Sequence, residues 1–482
     1  MIAEYDKLDA VAMADLVRRR ELKAEELLDE AIARTEARDT VLNAVTTRFF
    51  DLARDRIAKG LPDGPLRGVP FLLKDLGVFY AGTKTTSASR LFADFSSPID
   101  STLAERYVRA GLVIFGKSSL SEFGISATNE PEMFGPCRNP WSLEHTTGGS
   151  SGGAAAAVAG GIIPSAHAAD GGGSIRIPAS HCGLFGLKPT RARVPLGPHI
   201  SESWAGMTIH HVVTRSVRDS AVLLDVSQGA APGDPYWAPP PAASYLELTK
   251  RDPQRLRIAV SLKSFEAVAL DPQVRAGVEN AAKLCESLGH QVEWVDPALD
   301  DVISDDEYLQ CRADIIHASM YTSLLRRNRQ LGRDFSGRDL QRVTALFAEA
   351  GREVSAQTYL NAIQTLQRAS RALGQQFEKW DVLLGPVCAT PPHKLGEVDM
   401  ESTDLATYKA IARSHTGYTS IWNVAGNPAM SVPLHWSTEG LPIGVQFTGR
   451  FGAEDTLYQL AGQIERAAPW ADRRPAAFPA TA

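Results

Sequence analysis

Apolar residues recur at helical spacing near the start of the chain. Leu16-Val17, Leu27-Leu28 and Ala31-Ile32 stand among charges and predict an amphipathic helical segment. A turn-rich piece, 60–68, comes before the run Val69-Pro70-Phe71-Leu72-Leu73, which closes at Lys74-Asp75 and predicts a buried strand. Thr102 to Arg109 reads as an amphipathic helix and Leu112 to Phe115 as the strand after it. Leu256 to Val260, a helix from Pro272 to Leu288 and a strand from Gln291 to Val295 form a readable βαβ unit. Its helix has Asp271 as N-cap, Pro272 in the first turn and Gly289 as the stop. The segment 303–380 is helical in pattern almost throughout. Strand patterns return at Val382 to Leu384, Met430 to Leu434 and Ile443 to Gly449, and a helix closes at 453–466. Short apolar strands alternating with helices predict an α/β architecture.

Composition narrows the class. The 482 residues are 44% hydrophobic and 22% charged, enough for a large core, and the net charge of −6 gives no reason to expect nucleic acid or an anionic membrane as partner. Cys137, Cys182, Cys285, Cys311 and Cys388 are widely spaced, and none stands beside a histidine at zinc-ligand spacing. The odd count suits a reducing cytoplasm. The first residues lack a signal-peptide pattern, and the longest apolar run, Ala154 to Pro164, is too short to span a bilayer. The expectation is a cytoplasmic protein without metal or cofactor. The prolines between Ala230 and Ala243 mark an ordered excursion over the surface or a linker.

Between Thr146 and Pro189 the sequence differs in kind. It carries two glycine-flanked serine sites, Gly148-Gly149-Ser150-Ser151-Gly152-Gly153 and Asp170-Gly171-Gly172-Gly173-Ser174-Ile175-Arg176. Three glycines leave no side chain between the peptide N–H groups and a ligand, and consecutive amides can form an anion-binding nest. A serine at its end places a nucleophile beside an oxyanion hole. A flexible glycine loop or a phosphate cradle fits the same residues, although no P-loop lysine follows and the Gly-x-Ser-x-Gly elbow is absent. A serine nucleophile needs a base. His145, His167 and His181 are nearest in sequence, and Lys74, closing a strongly apolar run, is the other candidate, since a desolvated lysine can be neutral near pH 7. A surface lysine closing a strand is the commoner case.

The stretch from Gly148 to Pro189 resembles the amidase signature family. So do the Gly68–Asp75 block, Asn139-Pro140-Trp141, Gly186-Leu187-Lys188-Pro189-Thr190, Asn427–Pro433 and Gly440–Gln446. The resemblance runs from about residue 5 to 467. It implies an amidase signature fold: one domain over 1–482, with a mixed central β-sheet covered by helices on both faces. Within it the catalytic core occupies about 60–220, a helical substrate-facing segment about 303–380, and C-terminal strands and a helix about 381–467. It implies Ser174 as nucleophile, Lys74 as base, and Ser150, after a cis Gly149–Ser150 bond, as the bridge between them. Gly171, Gly172, Gly173 and Ser174 are implied as the oxyanion hole, with Ser151, Asp170 and Arg176 in support. Position 171 departs from the family, where a β-branched residue is common.

The resemblance further implies hydrolysis of a carbon–nitrogen amide bond through an acyl-enzyme. The residues after Thr190, Arg191-Ala192-Arg193-Val194-Pro195, differ from those of the family's amidotransferase A-type subunit, which releases ammonia from glutamine or asparagine for a partner. That amidotransferase component is the alternative. The preferred reading is a stand-alone hydrolase similar to bacterial enzymes acting on small or xenobiotic linear and cyclic amides, anilides or carbamates. Its partner is then a small-molecule amide, with no nucleic acid or membrane and with a homodimer as the association to consider. Specificity is expected from the 303–380 segment and the loop near 195–212. Cys311, Ile315, Ile316 and Met320 recur at helical spacing there and, with Tyr418 and Trp422, are candidates for the pocket wall. An apolar stripe of this kind is more often core.

Overall fold

The structure is a computed structural model in which residues 2, 4–297 and 302–478 are described. Eleven strands form one mixed sheet. In spatial order they are Val45–Arg48, Val113–Ser118, Pro70–Lys74, Ser165–Asp170, Ile209–Thr214, Phe185–Lys188, Ala429–Trp436, Pro442–Gly449, Val382–Pro386, Arg257–Val260 and Gln291–Trp294. Pro70–Lys74 runs parallel to its neighbours on both sides, and the central strands from Ser165–Asp170 to Val382–Pro386 pair antiparallel. The predicted βαβ unit is present: Arg257–Val260 and Gln291–Trp294 pair in parallel across the helix Pro272–Ser287. Asp271 caps that helix by accepting from the Gln273 amide at 2.7 Å.

Alternation along each strand divides the core into two layers. Phe71 and Leu73 enter one apolar cluster with the helices Ala10–Arg18, Thr102–Arg109, Val217–Ser227, Pro272–Ser287 and Glu454–Ala467. Leu72 enters the other with Ala24–Leu42, Phe50–Ala58 and Gly152–Ala159. The sheet is therefore covered on both faces, as the resemblance implied. Each fully buried Phe or Leu side chain contributes about 1.5–3 kcal/mol. The helices Asp305–Leu331, Arg342–Arg352 and Ala356–Gln376 build two further clusters, with Ile315 and Leu366 in one and Met320 and Val343 in the other. The proline-rich stretch 230–243 is an ordered excursion, tied down where the Ala238 amide donates to the Ala192 carbonyl at 3.1 Å. Among the described residues no helix is long and apolar enough to cross a membrane.

Candidate active site

Lys74 ends a strand whose five residues are all buried. Its side chain is 1% exposed, and its Nζ lies 2.7 Å from Ser150 Oγ and 2.9 Å from Ser151 Oγ. Burial removes water from the ammonium form and lowers the pKa from 10.5 to about 7, against the opposing pull of the Asp170 carboxylate. Lys117 and Lys188 are also buried and also lowered by desolvation. Lys117 donates to the Val78 carbonyl and Thr85 Oγ1, and Lys188 to the Pro189 and Asn427 carbonyls. Of the three, Lys74 alone touches the glycine-flanked serines.

Ser150 and Ser151 sit at the entry to the helix Gly152–Ala159, and the Gly149–Ser150 peptide bond is cis. A Cβ at position 149 would stand 2.4 Å from the Thr128 carbonyl oxygen and 2.7 Å from that of Ser126, so only glycine fits this approach. Ser151 Oγ also bonds the Ala169 carbonyl at 3.2 Å, which ties the Ser150 segment to the strand carrying the second serine site.

That strand, Ser165–Asp170, delivers Asp170 to the base of the glycine turn, and the helix Arg176–Cys182 follows. The Asp170 carboxylate accepts from the amides of Gly173 at 2.7 Å and Ile175 at 3.1 Å. It also accepts from Arg176 Nε and Nη2, each at 2.9 Å, and from Asn423 Nδ2 at 2.8 Å. Burial, the largest single cause, would raise its pKa, but the Arg176 guanidinium together with Lys188 and Asn423 outweighs it and holds the carboxyl well below the usual range. Arg176 in turn reaches the Thr419 carbonyl, Gln446 Oε1 and Asn423 Oδ1. The pair is therefore a brace for the turn rather than a proton-transfer group.

One expectation needs correction. The Gly173 amide is committed to Asp170 and is not free for an oxyanion. The amides of Gly171, Gly172 and Ser174 donate to no other group among the described residues. Gly171 also has a structural reason: a Cβ there would lie 2.6 Å from the Trp204 ring. The indole occupies the space that a β-branched side chain would need. Ser174 is partly exposed and lines a cavity of about 490 Å³. Its hydroxyl makes no hydrogen bond among the described residues, so the Lys74–Ser150 contact is formed and a Ser150–Ser174 contact is not.

The cavity is walled by Gly124–Ala127, Gly149, Gly172 and Ile177 on the sheet side and by Trp204 from the 195–212 loop. The helix Asp305–Leu331 presents Asp306, Leu309, Gln310, Arg312, Ala313, Ile316 and His317 to it, and Lys409 and Arg413 come from the helix Leu405–His415. Of the expected wall residues, Ile316 is in place. Cys311 and Ile315 are turned toward the core shared with Ala356–Gln376, and Met320 is buried with Leu324 beyond the cavity. Trp422 is buried in the Cys311 cluster, and Tyr418 is buried with its hydroxyl on the Leu262 carbonyl. Apart from Ile316, the apolar stripe is core; the cavity face is the mixed polar one.

The histidines fall elsewhere. His167 Nδ1 accepts from the Lys74 backbone amide at 3.1 Å and its Nε2 contacts His210, so it positions the strand end and touches no serine. His181 is buried with neither ring nitrogen bonded, and His145 contacts Ser142. Sequence reasoning missed Asn423, Thr419 and Trp204. No local pattern marks them, since each reaches the site through tertiary packing. Gln446 lies inside a block whose resemblance to the family is visible in the sequence.

The amidase family model matches residues 26–458. The 6-aminohexanoate-cyclic-dimer hydrolase of Paenarthrobacter ureafaciens is 36% identical over 97% of this chain and 96% of its own length. A solved structure of 6-aminohexanoate cyclic dimer hydrolase complexed with substrate superposes with a TM-score of 0.92 at 34% identity, covering 99% of this chain and 100% of the other. A bacterial aryl acylamidase of the amidase signature family gives 0.87 at 27% identity over 96% and 97%. The A-type component of the glutamyl-tRNA(Gln) amidotransferase from Thermotoga maritima is more distant, with a TM-score of 0.76 at 27% identity over 100% of both chains.

Proposed function

Because the chain belongs to the amidase family, whose members hydrolyse amide carbon–nitrogen bonds, we propose that Ser174, Ser150 and Lys74 carry out that hydrolysis here through an acyl-enzyme. The observation that carries the proposal is a buried amine with a pKa near 7, 2.7 Å from Ser150 Oγ, behind a cavity onto which Ser174 opens. Neutral Lys74 takes the Ser150 proton, Ser150 takes that of Ser174, and Ser174 Oγ attacks the carbonyl carbon. The Ser150–Ser174 link closes as substrate fills the cavity, since catalytic hydrogen bonds commonly tighten only in the complex. The free amides of Gly171, Gly172 and Ser174 take the charge that develops on the carbonyl oxygen. The relay then returns the proton to the departing nitrogen, and water deacylates Ser174 through the same base.

The substrates proposed are small linear or cyclic amides, anilides or carbamates. The cavity volume and its mixture of Trp204, Ile316 and Phe347 with polar groups suit a small molecule. The names of the similar hydrolases point the same way. A screen of these amide classes with identification of both products tests the reading. Release of amine and acid in equal amounts, lost in Ser174→Ala, is expected. Turnover that survives Ser174→Ala would remove Ser174 from the chemistry.

A further inference from the structure

The cavity carries more positive charge than its own carboxylates neutralise. Lys409 and Arg413 stand one turn apart on Leu405–His415 and both line it. Neither side chain makes an ion pair or a hydrogen bond among the described residues; Lys409 Nζ lies over the Phe347 ring, 5.4 Å from its centroid, with the Asp314 carboxylate acting on it electrostatically. Like charges at this spacing on one helix face repel. Of the nearby carboxylates, Asp314 acts on Lys409 but does not line the cavity. Glu266 is held by Arg312 at 3.0 Å and by Ser420, Asp314 accepts from Gln310 at 2.7 Å, and Asp306 stands exposed. The Arg312 guanidinium, paired in this way, lies against Gly172, so it belongs to the wall beside the turn and is not a free cation.

A second observation marks the same place. His317 lines the cavity at 5% exposure with no partner for its Nε2. It packs edge-on to Phe347 at 4.7 Å, the ring that Lys409 covers. Buried polar atoms are nearly always hydrogen-bonded, and this one is left without a partner. Burial and the neighbouring Lys409 both keep this imidazole neutral, so it adds no charge of its own to the wall.

We propose that Lys409 and Arg413, beside the neutral His317, form a subsite for a carboxylate on the substrate, remote from the bond being cut. This rests on the amide-hydrolase reading and narrows it to acid-bearing amides. Lysine and arginine recognise a carboxylate by charge-assisted hydrogen bonds, which are stronger than neutral ones. The group lies on either the acyl or the amine portion of the substrate.

Two matched pairs separate those sources. Adipic acid mono-4-nitroanilide against hexanoyl 4-nitroanilide places the charge on the acyl side, and 4-acetamidobenzoate against acetanilide places it on the amine side. The acid is expected to exceed its neutral match in kcat/KM by about tenfold or more in at least one pair, the size of a charge-assisted bond. Lys409→Met and Arg413→Met should each collapse that ratio, and Lys409→Glu should invert it. Equal or lower kcat/KM for both acids, or a ratio unchanged in the variants, overturns the subsite. If none of the four is hydrolysed, the amidase reading is in question, and adipate binding followed by Trp204 fluorescence still decides the subsite. Tighter binding than hexane-1,6-diol, weakened in Lys409→Met, supports it; equal binding refutes it.

Discussion

A lysine works as a base only when neutral, and burial at position 74 is what makes that possible near neutral pH. The lowered pKa of about 7 sets a direction. Below it Lys74 is protonated and cannot take the Ser150 proton; above it the amine is free. The kcat/KM of the wild type is therefore expected to rise tenfold per pH unit on the acid side and level off above about 7. A profile flat from pH 5 to 9 would contradict this. Lys74→Arg should fail at every pH tested, because guanidinium does not lose its proton there. Lys74→Ala should cost more than the ~10²–10⁴-fold of an ordinary acid–base group, since Ser150 also loses its partner. Near-normal kcat in Lys74→Arg would make the residue a structural cation. Asp170 makes a different prediction. Asp170→Asn leaves the Arg176 guanidinium buried without its counter-ion, which costs about 3–5 kcal/mol in such pairs. The shift in urea midpoint measures it; a change within error would show that the Asn423 and Gln446 contacts suffice.

At the scale of elements, Gly171 and Trp204 are coupled. Gly171→Val drives a branched side chain into the indole, an overpacking that costs about 1–3 kcal/mol. Trp204→Ala added to it should recover part of that loss. Additive destabilisation in the double-mutant cycle would show that the two do not share the space. The elements also show what the sequence could and could not reveal. The helix Thr102–Arg109 was legible, because its apolar positions fall on one face. The Pro272–Ser287 helix was legible from its cap. The strand Ser165–Asp170 was not: Ser-Ala-His-Ala-Ala-Asp lacks the β-branched residues that announce strands, and two flanking strands hold it in place. The helix Gly152–Ala159 is buried on every side, so it shows no period. On Asp305–Leu331 the apolar stripe is by its spacing a candidate pocket wall, but Cys311, Ile315 and Met320 turn to the core, and the cavity face hid among Asp306, Gln310 and His317 because polar residues there look like solvent-facing ones.

On the scale of the whole molecule, one sheet brings residues from distant parts of the chain into a single site. Lys74 comes from one strand, Ser174 follows another, and Asn423 and Gln446 brace the turn from the C-terminal part. The motif Gly171–Ser174 was visible in sequence, and the choice of Lys74 over the histidines came from resemblance; the contact between Lys74 and Ser150 needed the fold. No three His, Cys, Asp or Glu side chains among the described residues are placed to hold a metal ion. Dialysis against EDTA is expected to leave turnover unchanged, and a loss restored by zinc would refute a purely side-chain mechanism. The most direct test of the account is covalent. Treatment with a serine-directed fluorophosphonate, followed by peptide mass spectrometry, should place a single adduct on Ser174 in the wild type and strongly reduced labelling in Lys74→Ala. An adduct on any other serine, or undiminished labelling of Ser174 without Lys74, would contradict it.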